Sequence, residues 1–400
     1  MSHSRTILTL NSGSSSIKFA LFDEASATER LLSGLVEYQP GGAILTSRTP
    51  DGVSKRMVIE SGDNQTDAHG QMIRHVLNFV ENHDSGSSIA AVGHRVVHGG
   101  PHFEGPTRVD QEVIGQLEAL VPLAPLHQPP SIAPMRLLME QKPDLLQVAC
   151  FDTSFHHTIP TVRTRLPLPA ELLDGGARVY GFHGLSYDFI ASELEARFPT
   201  IAHKCVLVAH IGNGASLCAL VHGRSTATTM GLTVLDGLMM GTRCGTIDPG
   251  AILYLLQQKN MTPKEVQDTL YYKSGLRGVS GLSSDMRVLR ENDADENVQL
   301  ALDMFVERFV QQAGGLIAQM GGVDAIVFTG GIGQHDAAFR RAVCQRLKWL
   351  DVQLCEDANL AGRPRISQRS GRVMVLVVPA DEETTIFRQT KRIMEGSHKS

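Results

Sequence analysis

The strongest constraint on the fold is an internal repeat of strand, turn and strand, whose two copies lie about half a chain apart. Residues 7–22 contain an apolar run, a polar Gly/Ser turn and a second apolar run, and residues 206–221 follow the same order through Gly212, Asn213 and Gly214. A second repeated feature is a pair of glycines at a strand end, which occurs at residues 99–100 and again at 330–331. Repeats set the architecture of a chain. They predict two related α/β domains, each aiming a Gly-rich turn at one cleft, although glycines follow apolar strands in any α/β protein.

Apolar spacing predicts the remaining elements. Strands are expected at 7–10, 17–22, 90–97, 145–151, 206–211, 215–221, 323–328 and 373–378, and helices at 67–82, 131–142, 184–197, 296–320 and 383–394. The chain of 400 residues is too long for one compact core and suits two domains.

Composition excludes several classes of protein. The net charge of −5, without a basic block or acidic tail, and the aromatic content of 5% argue against a nucleic-acid or membrane partner. No apolar stretch approaches the roughly 20 residues of a membrane helix, and the first apolar run is too short for a signal peptide. The six cysteines are scattered without a CxxC motif, which predicts a reduced, cytoplasmic protein with no zinc site.

Three Gly-rich turns at strand ends are the candidate phosphate-binding segments. The P-loop, the dinucleotide fingerprint and the protein-kinase motifs are all absent. The turn at residues 11–16 offers clustered N–H groups and hydroxyls that suit phosphate oxygens, and Lys18 follows it as a point charge. One such turn alone is more typical of a plain hairpin. Three of them, at 11–16, 212–214 and 330–333, favour a nucleotide cleft.

Charged and imidazole side chains beside glycines are the candidate catalytic groups. Arg95 and Arg243 lie in Gly-flanked segments, where a planar guanidinium can bind carboxylate or phosphate. An isolated arginine is more often a solvated surface charge. Among 16 histidines, His183 at a predicted helix start is the best functional candidate, ahead of His127, His156 and His157.

Two carboxylates lie where α/β proteins bind ligands. Asp152 ends an apolar strand, and Glu382 follows the last strand. Acids at the carboxyl ends of strands point into the ligand crevice, and Mg²⁺ takes one or two carboxylates plus substrate phosphates. Glu383 is interpreted instead as an ordinary acid of a helix N-terminus.

Five segments together resemble the acetate kinase family. They are Asn11–Phe19, Phe151–His156, Tyr180–Gly184, Met240–Arg243 and Phe328–Gly333, and they occur in family order across essentially the whole chain. The resemblance implies the fold of the acetate and sugar kinase, Hsp70 and actin superfamily: an α/β protein with two duplicated RNase H-like, actin-like ATPase domains around a nucleotide cleft. It further implies a domain of residues 1–152 with a returning helix at 385–400, a domain of residues 153–384 for nucleotide binding and dimerisation, and a homodimer.

The resemblance also implies a role for each matched residue. Asp152, His183, Arg243 and Arg95 correspond to catalytic positions. The carboxylate substrate would contact Arg95, His127 and an apolar wall of Val97, Leu126 and Phe182. Nucleotide binding is expected at Lys18, His210, Ile211, Gly212, Asn213, Gly214, Asp285, Met286, Arg287, Gly330, Gly331, Ile332, Gly333 and Gln334. Asn11 and Glu382 correspond to positions associated with Mg²⁺ (or Mn²⁺), and ATP and ADP are the expected nucleotides.

This set suits phosphoryl transfer to a carboxylate. A carboxylic acid is already ionised at pH 7, so no general base is needed. The difficulty is to bring two anions together, and two arginines, one histidine and Mg²⁺ would offset that repulsion. Our hypothesis is that Asp152 positions a metal-bound water or an arginine rather than removing a proton.

Several positions depart from the family pattern. The chain has Cys244 and Thr246 where Ser and Asp are usual, Gln334 and His335 for Glu and Asn, Asp381 for Asn, and Val234 for Pro. The changes leave acyl-chain length and nucleotide preference open. A propionate or butyrate kinase, a nucleotide-driven conformational switch and an inactive paralogue are the alternatives. The moderately bulky Val97 favours acetate, and the arginine pair argues against a switch.

Overall fold

The computed structural model describes residues 4–13, 16–26, 28–39, 41–60, 68–83, 87–173 and 175–397. The chain divides into two compact units: unit 1 is Met1–Phe155 with Asp381–Ser400, and unit 2 is His156–Ala380. These divisions fall at 155 and 380, whereas the sequence placed them at 152 and 384. Within the described residues, no helix is both long and apolar enough to span a membrane.

Unit 1 is built on one large sheet with helices packed against it. Its strands are β1 (Ser4–Ser12), β2 (Ser16–Asp23), β3 (Arg30–Gln39), β4 (Gly42–Arg48), β5 (Ser54–Glu60), β6 (Ser87–Val96), β7 (Thr107–Arg108) and β8 (Leu146–Phe151). Its helices are α1 (Ala68–His83), α2 (Gln111–Ala119), α3 (Gln128–Gln141) and, from the C-terminus, α15 (Glu382–Ser397), with 3₁₀ turns at Val121–Leu123 and Ser154–His156.

The order of the unit 1 sheet is β5-β4-β3-β2-β1-β6-β8-β7. Strands β1 and β2 form an antiparallel hairpin, while β1, β6 and β8 run parallel. Helix α15 packs on this parallel part, where Phe387 and Met394 join the buried Ile7 and Phe22. Gly93 makes the contact possible, because a Cβ there would lie 2.5 Å from Cγ2 of Ile386. The helix therefore lies close against the strands whose ends carry polar side chains.

Unit 2 contains a five-stranded sheet and most of the helices. Its strands are β9 (Cys205–Ile211), β10 (Ala215–Val221), β11 (Arg224–Thr228), β12 (Ala325–Thr329) and β13 (Met374–Val377). Its helices are α4 (Thr161–Thr164), α5 (Gly184–Arg197), α6 (Pro199–Ala202), α7 (Pro249–Gln257), α8 (Pro263–Tyr272), α9 (Gly275–Ser280), α10 (Met286–Glu291), α11 (Glu296–Met320), α12 (Gly330–His335), α13 (Ala337–Arg346) and α14 (Glu356–Leu360), with 3₁₀ turns at Ala170–Leu172 and Lys348–Leu350.

The two sheets share one topology, which confirms the predicted duplication. The order β3-β2-β1-β6-β8 in unit 1 corresponds to β11-β10-β9-β12-β13 in unit 2. In both, an antiparallel hairpin is followed by two parallel strands. Strands β4, β5 and β7 extend the unit 1 sheet beyond this common part.

Several predicted elements match the structure and others need correction. The predicted bounds of β10, α5 and α11 are those observed. Residues 11 and 12 belong to β1 and residue 16 to β2 instead of the turn, and residues 330–333 form the start of helix α12 instead of a loop. Two residues of the first turn (14 and 15) and residue 67 of the predicted helix lie outside the described residues.

The sequence analysis predicted none of β3 to β5, β7, β11 and α2, nor most of the shorter helices of unit 2. In β3 the buried residues are Leu32 and Val36, four positions apart, while the residues between them are half-buried. Positions 32, 34 and 36 share one face of the strand, but Gly34 stands between the two buried residues and the apolar Leu31 and Leu35 lie on the other face, so the residue types show no clear alternation of period two. The local pattern therefore did not reveal β3, whereas in β4 burial does alternate, at Ala43, Leu45 and Ser47.

Candidate active site

Four polar side chains converge at one edge of the unit 1 sheet. Asn11 lies near the end of β1, Arg95 near the end of β6, and Asp152 directly after β8, while Glu382 is the first residue of α15. Because β1, β6 and β8 are parallel, their carboxyl ends meet at the same edge, where α/β proteins place ligands. The sheet edge and the start of α15 therefore bring together residues that lie up to 371 positions apart.

Arg95 is the centre of this cluster. Its Nε and Nη2 donate to Oδ2 of Asp152 at 3.0 and 2.6 Å, and its Nη1 donates to Oδ1 of Asn11 at 3.1 Å. Nη1 also lies 3.7 Å from Oε2 of Glu382, which accepts a hydrogen bond from Nδ2 of Asn11 at 3.1 Å. Burial acts to lower the pKa of Arg95, but Asp152 and Glu382 outweigh it and raise the pKa. The guanidinium is thus firmly charged and fixed by two carboxylates.

Lys18 and Glu383 flank the cluster. Lys18 is the cross-strand partner of Asn11 in the hairpin, and directly opposed residues present their side chains on the same face. Burial, followed by the neighbouring Glu382, raises the pKa of Glu383, while Lys18 acts to lower it. Glu383 lies in the first turn of α15, as the sequence predicted, but burial and the adjacent Glu382 carboxylate disfavour its charged form.

The predicted apolar wall is partly assembled in unit 1. Val97 is buried, and Leu126 and His127 are half-buried just before α3. Gln128 ties the two segments together, because its Nε2 donates to the carbonyl of His98 at 2.9 Å and its Oε1 accepts from the N–H of His98 at 3.3 Å. Phe182 belongs to unit 2, where it is buried and its carbonyl is bonded to His156.

His183 occupies a special backbone position in unit 2. It is the N-cap of α5 with φ of 60°, in the left-handed region that few non-glycine residues adopt. Its Nδ1 lies 2.8 Å from Oγ of Ser216, and its ring stacks on His210 with 4.4 Å between centroids. His210 is itself held by Oγ of Ser186 at 2.9 Å. These contacts fix the ring and direct Nε2 toward Gly214.

Gly214 is where His183 and Arg243 meet. A Cβ added at Gly214 would lie 3.4 Å from Nε2 of His183, and 3.6 and 3.7 Å from the two terminal nitrogens of Arg243. Arg243 donates to the carbonyl of Val234 at 2.9 Å, and burial lowers its pKa. Among the described residues of unit 2, no acidic side chain forms an ion pair with Arg243. A half-buried cation without a carboxylate suits an anionic ligand.

A cavity of about 980 Å³ lies in unit 2, large enough for a nucleotide. Half of the fourteen predicted nucleotide residues line it: Gly212, Asn213, Asp285, Met286, Arg287, Gly331 and Ile332. The lining also includes six residues that the sequence analysis did not select: Ser284, Arg290, Glu291, His335, Asp336 and Ala337. Arg290 and Glu291 follow Met286 and Arg287 by four positions, so helical spacing was the available signal.

The other seven predicted nucleotide residues do not line this cavity. Lys18 belongs to unit 1. His210, Ile211 and Gly214 flank the lining turn, and Gly330, Gly333 and Gln334 flank the second lining segment. Gly330 has φ of 77°, and a Cβ there would lie 2.7 Å from the carbonyl oxygen of Ile211. This glycine lets the two Gly-rich segments touch.

Arg340 supports the second segment and was not predicted. Its side chain is fully buried, and Nη1 donates to the carbonyls of Gly333 and Gln334 at 2.9 and 2.6 Å. Nε and Nη2 donate to Oδ1 and the carbonyl of Asn359 at 2.9 and 2.7 Å. The C-terminal carbonyls of α12 are thereby satisfied inside the protein. No local motif identifies such a residue, because its partners come from distant segments.

The oxygen donors of the unit 1 cluster are of the type that could hold a magnesium ion. Side-chain oxygens of Asn11, Asp152 and Glu382 surround one guanidinium, and oxygen is the ligand Mg²⁺ prefers. Two carboxylates and one arginine leave a local formal charge of −1, which suits a cation that carries nucleotide phosphates. Among the residues that the structure describes, no group of three or more His, Cys, Asp or Glu side chains forms a dedicated metal cage.

Comparison with known proteins settles the family. The sequence model of the acetokinase family matches residues 6–388. The chain belongs to the acetokinase family. An acetate kinase of Rhodopseudomonas palustris (strain TIE-1) is 46% identical, over 98% of this chain and 99% of that protein. An acetate kinase of Porphyromonas gingivalis is 33% identical in sequence. Its crystal structure matches this one with a TM-score of 0.86, over 98% of this chain and 100% of that one. A propionate kinase from Francisella tularensis is 33% identical, with a TM-score of 0.88 over 97% and 99%.

The departures from the acetokinase pattern have defined contacts. Thr246 donates to Oδ1 of Asp236 at 2.6 Å, and His335 lines the nucleotide-sized cavity. Asp381 caps α15 and forms an ion pair with Arg30 at 2.6 Å. Val234 contributes only its carbonyl to Arg243. None of these four substituted residues replaces a residue of the Arg95 or His183 clusters.

Proposed function

We propose that the protein catalyses reversible, Mg²⁺-dependent phosphoryl transfer between ATP and acetate, giving acetyl phosphate and ADP. The observation that carries this proposal is the meeting of His183 and Arg243 at Gly214, beside a nucleotide-sized cavity; none of the ion pairs among the described residues involves Arg243. Membership of the acetokinase family and the names of the relatives support the same reaction.

Unit 2 supplies the nucleotide site and two groups for the transferred phosphoryl. The cavity would hold the nucleoside, with its phosphates along the Gly212 to Gly214 turn. Arg243 is always charged, and Nε2 of His183 is held by the Ser216 contact on the other side of the ring. Both groups would stabilise negative charge on the equatorial oxygens during an in-line displacement.

Unit 1 supplies the carboxylate and metal sites. Arg95 would bind the carboxylate of acetate, with Val97 and Leu126 near its methyl group. An acetate oxygen attacks the γ-phosphorus of ATP, the bond to the β–γ bridging oxygen breaks, and ADP leaves with the electron pair. Asn11, Asp152 and Glu382 would hold Mg²⁺, which neutralises phosphate charge when bound. Asp152 anchors Arg95 through Oδ2, which supports a positioning role over proton removal.

The setting of the reaction is part of the proposal. All six cysteines are free in the structure, and the sequence shows no CxxC motif, which supports a reducing, cytoplasmic environment. A homodimer is proposed on the resemblance to the family.

The test is formation of acyl hydroxamate from ATP, Mg²⁺, hydroxylamine and acetate, propionate or butyrate. We expect acetate to give the highest kcat/KM, and Arg243→Lys to lower kcat at least 100-fold because a point charge cannot replace the planar fork. Arg341→Gln, which removes a surface ion pair with Glu356 in the same unit, is the matched control. If folded protein made no acyl phosphate from any acid, the proposal would be refuted.

Propionate is the second candidate substrate, because the Francisella tularensis relative is a propionate kinase. One methylene in an apolar pocket changes discrimination by about 1–3 kcal/mol. A kcat/KM for propionate above that for acetate would therefore keep the chemistry and change the preferred acid.

A further inference from the structure

We propose that Arg30 and Asp381 are positioning residues for Glu382, and that their ion pair sets the affinity of the unit 1 cluster for the divalent cation. The inference rests on the proposed function, which places the cation at Asn11, Asp152 and Glu382.

The side chain of Asp381 both caps helix α15 and pairs with Arg30. Nη2 of Arg30, at the start of β3, donates to both carboxylate oxygens at 2.6 and 2.7 Å. Oδ1 of Asp381 also accepts from the backbone N–H of Thr384 at 3.1 Å, and Oδ2 accepts from the Thr384 hydroxyl at 2.7 Å. Asp381 therefore caps the first turn of α15 while Arg30 ties that cap to the sheet.

Aromatic packing holds the next turn of the same helix. The guanidinium of Arg30 lies 5.2 Å from the ring centroid of Phe22, which stacks on Phe387 at 4.6 Å. Glu382 lies between the cap and Phe387, and its Oε2 accepts from Asn11 at 3.1 Å. A shift at the start of the helix would displace Glu382 from Asn11 and Arg95.

A positioning role and a purely electrostatic role predict opposite changes in cation affinity when Arg30 is replaced. Three consecutive acids form the cap and the first two residues of α15, and a different cation acts on each. Arg30 pairs with Asp381, Nη1 of Arg95 lies 3.7 Å from Glu382, and the charge of Lys18 favours the ionised form of Glu383. If only charge mattered, Arg30→Gln would tighten cation binding and Asp381→Asn would weaken it. If the pair positions Glu382, both substitutions weaken binding, because either one frees the start of the helix.

The experiment measures Mn²⁺ binding by EPR titration of the full chain with ADP, together with the Mg²⁺ dependence of hydroxamate formation. The variants are Arg30→Gln, Asp381→Asn and the double variant. Asn caps helices as well as Asp does, so Asp381→Asn preserves the fold if Arg30→Gln does not. The matched control is Arg5→Gln, which breaks the Arg5–Glu24 ion pair in the same unit.

We expect each single variant to bind Mn²⁺ about two- to five-fold more weakly, the range of a partly exposed ion pair, and the double variant to lose no more than either single one. Arg5→Gln should bind as the wild type does. Unchanged or tighter binding in Arg30→Gln, or losses that multiply in the double variant, would overturn the inference. A wild-type protein that binds Mn²⁺ with ADP but makes no acyl phosphate would instead count against the proposed function.

Discussion

Replacing Asp152 with Asn tests whether this carboxylate anchors Arg95. The Asp152 side chain is 1% exposed and accepts two hydrogen bonds from a guanidinium that is 22% exposed. Breaking a buried ion pair costs about 3–5 kcal/mol. Glu382 at 3.7 Å and Asn11 at 3.1 Å still face Arg95, and the amide oxygen can accept one bond, so we expect a loss of roughly 2–3 kcal/mol.

The assay must report on unit 1 alone. The single tryptophan, Trp349, lies in unit 2, so hydrogen exchange followed by mass spectrometry is the suitable measurement. Peptides covering β6 and β8 should exchange roughly 30- to 150-fold faster in Asp152→Asn, which is the expected free energy expressed as a ratio of opening constants. Asp110→Asn is the matched control, because Asp110 caps α2 in the same unit and Asn caps equally well.

The same variant separates anchoring from base catalysis. We expect kcat to fall and the Mg²⁺ dependence to change, with the shape of the pH–rate profile retained. Unchanged exchange in β6 and β8 would refute the anchoring argument. Loss of one limb of the pH profile with normal Mg²⁺ dependence would show that Asp152 removes a proton.

Three further predictions concern buried groups. Burial lowers the pKa of His94 to about 4, so neutral His94 contributes to the stability of the fold above pH 6.5. That contribution, up to roughly 3 kcal/mol, is lost as the pH falls to about 4. His94→Gln should therefore make hydrogen exchange in unit 1 depend less on pH in this range, and an unchanged slope would contradict this. The raised pKa of Glu383 means that its protonated form stabilises the fold below pH 4.5 and that this contribution is lost as the pH rises; Glu383→Gln should therefore raise Tm at pH 7 and not below pH 4.5, whereas an equal gain at both would refute the assignment. Arg340→Met leaves carbonyls of Gly333 and Gln334 unsatisfied; we expect a loss of about 2–5 kcal/mol and a higher KM for ATP with little change in KM for acetate, and equal changes in both KM values would count against its positioning role.

Much of the fold was readable from local patterns. The hairpins β1–β2 and β9–β10 and the long helix α11 follow from apolar spacing, and their recurrence half a chain apart predicted the duplication that the two sheet orders confirm. The order of the family motifs predicted the acetokinase family, which the comparisons confirm. The roles assigned to individual residues stay predictions until the variants above are measured.

The sequence by itself determined which residue types could act on phosphate and carboxylate, because glycine turns, arginines and strand-end acids can be recognised from the residues next to them. Only the tertiary structure decided their partners. Parallel pairing of β1, β6 and β8 and the docking of α15 on Gly93 bring Glu382 to Asn11 across 371 positions. Arg340 and the Arg30–Asp381 pair likewise depend on contacts between distant segments. Such contacts depend on how distant surfaces pack together, so they cannot be predicted from the spacing of residues along the chain.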